Sequence, residues 1–236
     1  MYSGYACTLA AALAVRTNRD RSLALGKKLL AELPAGFRIY EAKHYVLAYQ
    51  NELTYARWIG GLYESRLYRA FEGFWQKKKK FDLEKPGFPM VAIIFGSKAQ
   101  YDLQIVREFG EPQDMVAYYN LLTNRVTMYD LTADRRNPNQ RLDERKIDQI
   151  LQTREAVPMV ATIIHEGTHQ LMFNRGLQTR FAEAPLWLNE GLAIYFETPK
   201  LDSARGWRVP GLVSETRLTA FRTYLPTRPK NSLASM

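Results

Sequence analysis

Two histidines and a glutamate within five residues, His165-Glu166-Gly167-Thr168-His169, are the part of this chain best suited to chemistry. Residues four apart on an α-helix lie on one face, one turn above each other. Helical winding therefore aims the imidazoles of His165 and His169 at one point, at a spacing a zinc ion accepts. Glu166 follows the first histidine directly, placed to reach a water at that ion without binding the ion itself. Flanking Val160, Ile163, Ile164, Leu171 and Met172 predict a helix buried firmly enough to hold the geometry. The bland alternative is a pair of helical histidines making ordinary hydrogen bonds.

Downstream, residues 187–197 read WLNEGLAIYFE. If this segment is a second helix, the Glu190 carboxylate completes a set of two histidines and one glutamate. Such a set leaves a fourth position open to water, as a catalytic zinc requires. Position alone is weak evidence, because some glutamate follows any motif in a chain of this composition.

The two segments together resemble the gluzincin metallopeptidases. WLNEGLAIYFE is similar to the W-L-N-E-G-x-A-x-Y-x-E stretch of the zinc aminopeptidases related to leukotriene A4 hydrolase. The wider order resembles a bacterial peptidase-MA-like family over about residues 37–225. The resemblance implies His165, His169 and Glu190 as ligands of one Zn²⁺ per chain and Glu166 as general base. It also implies a downstream Tyr or His that binds the developing oxyanion. No histidine follows His169, which leaves Tyr224 and Tyr195, with Arg208, Arg217 and Arg222 as cationic substitutes. Tyr224 is the choice, since Tyr195 suits the core. The G-x-M-E-N motif of the aminopeptidases is absent, so no exopeptidase assignment follows. Thermolysin-like enzymes carry an Asp four residues after the ligand Glu, where this chain has Ile194. Glu197 either orients a ligand histidine or is an exposed carboxylate at a helix end.

Elements must bring these residues together. An Ala-rich helical segment through Leu23, Leu29 and Leu30 precedes the punctuation Pro34-Ala35-Gly36. Residues 37–49 read as one strand or two short ones, and 90–95 as a buried strand. Between them, Ile59, Tyr63, Leu67, Ala70 and Phe74 predict a long helix over 54–78. Ser97 and Gln100 form a capping box for a helix with Tyr101, Ile105 and Phe109 on its apolar face, ended by Gly110. Residues 115–119 and 126–131 predict a hairpin about Thr123-Asn124-Arg125, and 134–145 a loop. Helices over 157–175 and 185–197 then carry the two motifs. The plan is α+β, with a small mixed sheet, an HExxH helix and a following helix that carries Glu190; the gluzincin resemblance implies a zincin-like metallopeptidase fold. Residues 1–35 form the N-terminal helical segment, 36–225 the metallopeptidase domain, and 226–236 a disordered tail.

Composition narrows the alternatives. The single Cys7 excludes an intrachain disulfide framework and a cysteine zinc site. The net charge of +9 is spread along the chain without a nucleic-acid motif, so no nucleic-acid partner is expected. Its one dense block, Lys77 to Lys80, reads as a solvated helix end. No stretch is apolar enough to predict a membrane span, and the apolar N-terminal run lacks the basic start of a signal peptide. His44 reads as a strand or surface histidine rather than a ligand. Tyr118 and Tyr119 read as packed hairpin residues, with peptide contact as the alternative. The expected activity is hydrolysis of a peptide or protein by a water that zinc activates and Glu166 deprotonates. The rivals are a non-catalytic zinc scaffold with an incomplete cleft, suggested by only 39 residues following Glu197, and a binding module for acidic partners.

Overall fold

The computed structural model describes residues 18–136, 142–198 and 210–230. The expectations made for residues 1–17 (Cys7 among them), 137–141, Arg208 and 231–236 lie outside the described residues. The chain enters the described fold in helix α1 (Asn18–Glu32). Of its expected apolar positions, Leu29 is fully buried, whereas Leu23 and Leu30 face solvent. Gly36 takes φ +95°, a left-handed turn that side chains resist. The antiparallel pair β1 (Arg38–Glu41) and β2 (Tyr45–Tyr49) follows.

A long helix α2 spans 53–78 and delivers the chain to β3 (Met90–Phe95), whose six residues are all buried. Ser97 caps α3 (Lys98–Phe109) by accepting the Gln100 N–H, and Gly110 ends it at φ +83°. Tyr101 and Ile105 of α3 are buried, while Phe109 is half-exposed and meets the edge of Tyr118. The hairpin β4 (Ala117–Asn120) and β5 (Arg125–Tyr129) completes one open mixed sheet of order β1-β2-β3-β5-β4. Strands β2, β3 and β5 run parallel; β1 and β4 are antiparallel edges.

Strand side chains alternate between faces. The register puts Ile39, Ala48, Ile93 and Phe95 on one face, and Tyr40, Leu47, Ala92 and Ile94 on the other. Helix α1 rests on the first face, where Gly26 lies close against Ile39, and α3 adds Tyr101 against Phe95. Helix α2 covers the second face, with Gly60 set on the Tyr40 ring. Beside it lies α5 (Val157–Asn174), whose Phe173 stacks on Tyr119 of β4 at 5.8 Å. The result is a sheet between two helical layers, an α+β architecture.

Helix α2 departs from the expected face. It is α-helical over Leu53–Gly61 and Arg69–Glu72, and π-helical over Leu62–Tyr68 and Gly73–Lys78. π turns hold more residues per turn than α turns, so the buried stripe falls on Tyr55, Ile59, Tyr63, Leu67 and Phe71. Ala70 and Phe74 are only partly buried. Lys77 to Lys80 are exposed at its end, as expected.

Two helices went unpredicted. The expected loop at 134–145 ends early, because Glu144 and Arg145 open α4 (Glu144–Leu151). Asp143 caps it by accepting the Lys146 N–H, and Ile147 and Leu151, four apart, are fully buried. After α6 (Leu186–Glu197), the helix α7 (Glu215–Tyr224) starts at Ser214, which accepts the Arg217 N–H. Across the expected start of the tail, Leu225–Thr227 form a 3₁₀ turn, and residues to 230 are exposed. Among the described residues, no helix is long and apolar enough to cross a membrane.

Candidate metal centre

Helices α5 and α6 lie against each other and bring the three candidate ligands to one point. One donor atom from each of His165, His169 and Glu190 lies within 4.8 Å of the others. The two Nε2 atoms are 3.1 Å apart. Glu190 places Oε2 3.1 Å from His165 Nε2 and Oε1 3.5 Å from His169 Nε2. The imidazoles are 8% and 13% exposed against 44% for Glu190, so the group opens to solvent on the glutamate side.

Gly167 explains how the histidine helix sits so deep. A Cβ there would lie 2.8 Å from Tyr63 Cε1 and 2.9 Å from Leu67 Cδ2, both on α2. Tyr63 cannot swing aside, because it is fully buried and its hydroxyl donates to the Ile163 carbonyl at 3.0 Å. Overpacking of this kind costs about 1–3 kcal/mol, against about 1 kcal/mol that alanine returns in helix propensity. Gly167→Ala is therefore expected to lower stability by up to about 2 kcal/mol, read as a lower urea midpoint with an unchanged slope. A stabilised variant would show that α2 and α5 do not meet this closely.

Behind the ligands stands Glu197, the last residue of α6, buried rather than exposed. Its Oε2 lies 2.7 Å from His165 Nδ1. A carboxylate only accepts, so the His165 ring donates Nδ1–H to it and turns Nε2 towards His169 and Glu190. This settles the two readings of Glu197: it orients His165. Arg217 of α7 donates to the same carboxylate, from Nε to Oε1 at 2.6 Å and from the guanidinium NH2 to Oε2 at 3.0 Å. Burial pushes the Glu197 carboxyl up, but the His165 and Arg217 hydrogen bonds and the Arg217 charge outweigh it, so its pKa lies below the usual value.

Glu166, next to His165 in α5, also reaches the sheet edge. Its Oε2 accepts the backbone N–H of Tyr119 in β4 at 2.8 Å. Burial pushes this carboxyl up to about 7, against the opposing pull of His165 and of the Tyr119 N–H. Burial and the neighbouring His165 hold the His169 imidazole down at about 4. His165 itself is pushed down by burial but raised more by the Glu197 hydrogen bond and by the charges of Glu166, Glu197 and Glu190. Two imidazole nitrogens and a carboxylate oxygen thus face one another at contact distance. Either a proton shared between them or a cation lying among them satisfies the facing lone pairs, so the set is one that could hold a metal ion.

The other candidates fall elsewhere. Tyr195 packs against Phe74 and Phe196, as the core reading expected. Tyr224 is 47% exposed near the end of α7, and its hydroxyl bonds to none of the three ligands. Arg217, considered as an oxyanion partner, is committed to Glu197. The Tyr119 ring is packed on Phe173 and its hydroxyl donates to Asn124 at 2.8 Å. His44 pairs with Glu64 at 2.7 Å and stacks on Tyr68, outside the group of ligands. Sequence reasoning missed the Tyr119 amide and the role of Arg217, which no local spacing announces.

Comparison with known families finds one described as "Protein of unknown function (DUF1570)", which matches residues 159–236. That stretch holds His165, Glu166, His169, Glu190, Glu197 and Arg217, so every residue of the centre lies inside it. No curated protein and no solved structure matches the chain.

Proposed function

We propose that the chain is a zinc-dependent metallopeptidase of the gluzincin type, with a zincin-like fold, acting on a peptide or protein. One observation carries this reading: two imidazoles and one carboxylate converge within 4.8 Å, open to solvent on one side, with a fourth group, Glu166, beside them on the same helix. His165, His169 and Glu190 would hold the ion. Zinc bound there supplies an electrophile that acidifies water and polarises a carbonyl. Glu166 takes the proton of the attacking water and delivers it to the departing amine nitrogen. A carboxyl raised to about 7 suits both halves of that transfer near neutral pH.

The edge strand β4 supplies the place for the substrate. Its Tyr119 N–H points away from β5 and towards Glu166, so an extended peptide laid along this edge passes beside the base. Pairing through main-chain hydrogen bonds is how peptides add to a sheet edge.

A second reading, a zinc-holding scaffold without turnover, draws on a different observation. Among the described residues, no tyrosine hydroxyl or uncommitted cation is seen bonded at the centre to steady an oxyanion. One preparation tests both. Protein purified with metal present is expected to carry about one zinc per chain and to cleave members of a broad peptide library. Chelation should abolish cleavage, and added zinc should restore it. Zinc without cleavage supports the scaffold. Protein that takes up no zinc refutes both readings.

A further inference from the structure

Among the described residues, the ion pair between Arg217 and Glu197 is the direct contact that ties α7 to the candidate centre by charge. Two features make that pair unusual for a surface cation. The Glu197 side chain is 6% exposed, and both of its oxygens receive a guanidinium N–H, at 2.6 and 3.0 Å. Planar two-point binding fixes the carboxylate plane as well as its position. The same Oε2 that accepts from Arg217 accepts from His165 Nδ1 at 2.7 Å. An unheld carboxylate could rotate about its last bonds, and the imidazole would lose its fixed direction.

From this geometry we infer that Arg217 is a positioning residue: it locks the plane of Glu197, and through it the direction in which His165 presents Nε2. Its guanidinium hydrogen bonds go to Glu197 and to none of His165, His169 and Glu190. Just before α7, two residues are tied to the end of α6: Gly211 N–H donates to the Tyr195 carbonyl at 2.7 Å and Leu212 N–H to Thr198 Oγ1 at 3.0 Å. The docking of α7 therefore enters the affinity of the centre. Gly211 takes φ +83° and its Cα lies so close to the Tyr195 ring that a Cβ would be 2.5 Å from it. An arginine merely anchoring α7 would change stability alone, whereas a positioning arginine also changes the imidazole.

The part concerning metal rests on the zinc reading above; the part concerning the ring does not. Two measurements on the full chain separate them, each on wild type, Arg217→Ala, Arg217→Lys, Glu197→Gln and the Arg217→Ala/Glu197→Gln double variant. In metal-free protein, nitrogen-correlated proton spectra read the His165 Nδ1–H. Wild type should show it far downfield and slowly exchanging, Arg217→Ala should move it upfield and broaden it, and Arg217→Lys should recover part of the shift. In metal-loaded protein, competition with a chromophoric chelator reads zinc affinity, and the visible bands of the cobalt form read ligand geometry. Supporting partners of metal-bound histidines are worth roughly 10–100-fold in affinity, so Arg217→Ala should weaken binding about tenfold and shift the cobalt bands. In the Glu197→Gln background, Arg217→Ala should add little. Wild type that binds no zinc refutes the metal reading while the ring signal still decides the role of Arg217. An unchanged ring signal in Arg217→Ala, or an affinity loss that adds in full to that of Glu197→Gln, overturns the inference.

Discussion

Glu166→Gln is expected to reduce peptide hydrolysis by about 10²–10⁴-fold while zinc content stays at the wild-type level. The amide has nearly the shape of the carboxylate but cannot take a proton, and the three ligand side chains are untouched. The amide oxygen can still accept the Tyr119 N–H, so the link between α5 and β4 survives. The pH profile supplies a second check. Below its pKa Glu166 is protonated and cannot act as base, so activity falls as pH drops through that value. Burial sets the value at about 7 in the metal-free protein, and a nearby cation can only lower it. The acid limb of kcat/KM should therefore lie at or below about pH 7, and Glu166→Gln should remove it. Equal zinc and equal turnover in the variant would eliminate Glu166 as the base.

His169→Ala carries the other large effect. Among the described residues no carboxylate bonds to the second nitrogen of His169, so deleting the ring takes away a candidate ligand and little else. Losing an outer partner of a ligand weakens binding roughly 10–100-fold, and losing the ligand itself should cost more than that. Zinc should then be absent after gel filtration, and cleavage should not return when zinc is supplied at the protein concentration. Thermal unfolding in the absence of metal should match wild type closely, which separates a lost ligand from a lost fold. A variant that keeps zinc at wild-type affinity would mean that the ion, if bound, sits elsewhere.

Legibility followed the distance along the chain over which each contact acts. His165 and His169 could be read because four residues of helix suffice to align them. Ser97 with Gln100, and Gly110, were equally plain, since capping is settled within one turn. Glu190 was readable as a type of residue on a second helix, but its distance from the histidines came only from the packing of α6 on α5. Contacts across long separations left no trace. The Tyr119 amide meets Glu166 across 47 residues, and Arg217 meets Glu197 across 20. Glu144 and Arg145 were misread because α4 is short and polar apart from Ile147, Ile150 and Leu151. Phe71 was passed over for Ala70 and Phe74 because regular α spacing was applied to a helix that is partly wound otherwise.

That uneven winding of α2 reaches the centre without touching it. Tyr63 and Leu67 bed Gly167 of the histidine helix, and Phe71 meets Phe196 at 5.2 Å beside the end of the glutamate helix. A purely α-helical rod advances about 100° per residue, and Phe71 would then be turned well away from the line through Tyr63 and Leu67. The wide turns over Leu62–Tyr68 cancel that rotation, so a single rod serves as a gauge block for both ligand-bearing helices. The number of residues between Tyr63 and Phe71 thereby becomes part of what fixes the spacing of His165, His169 and Glu190, although none of them belongs to that group.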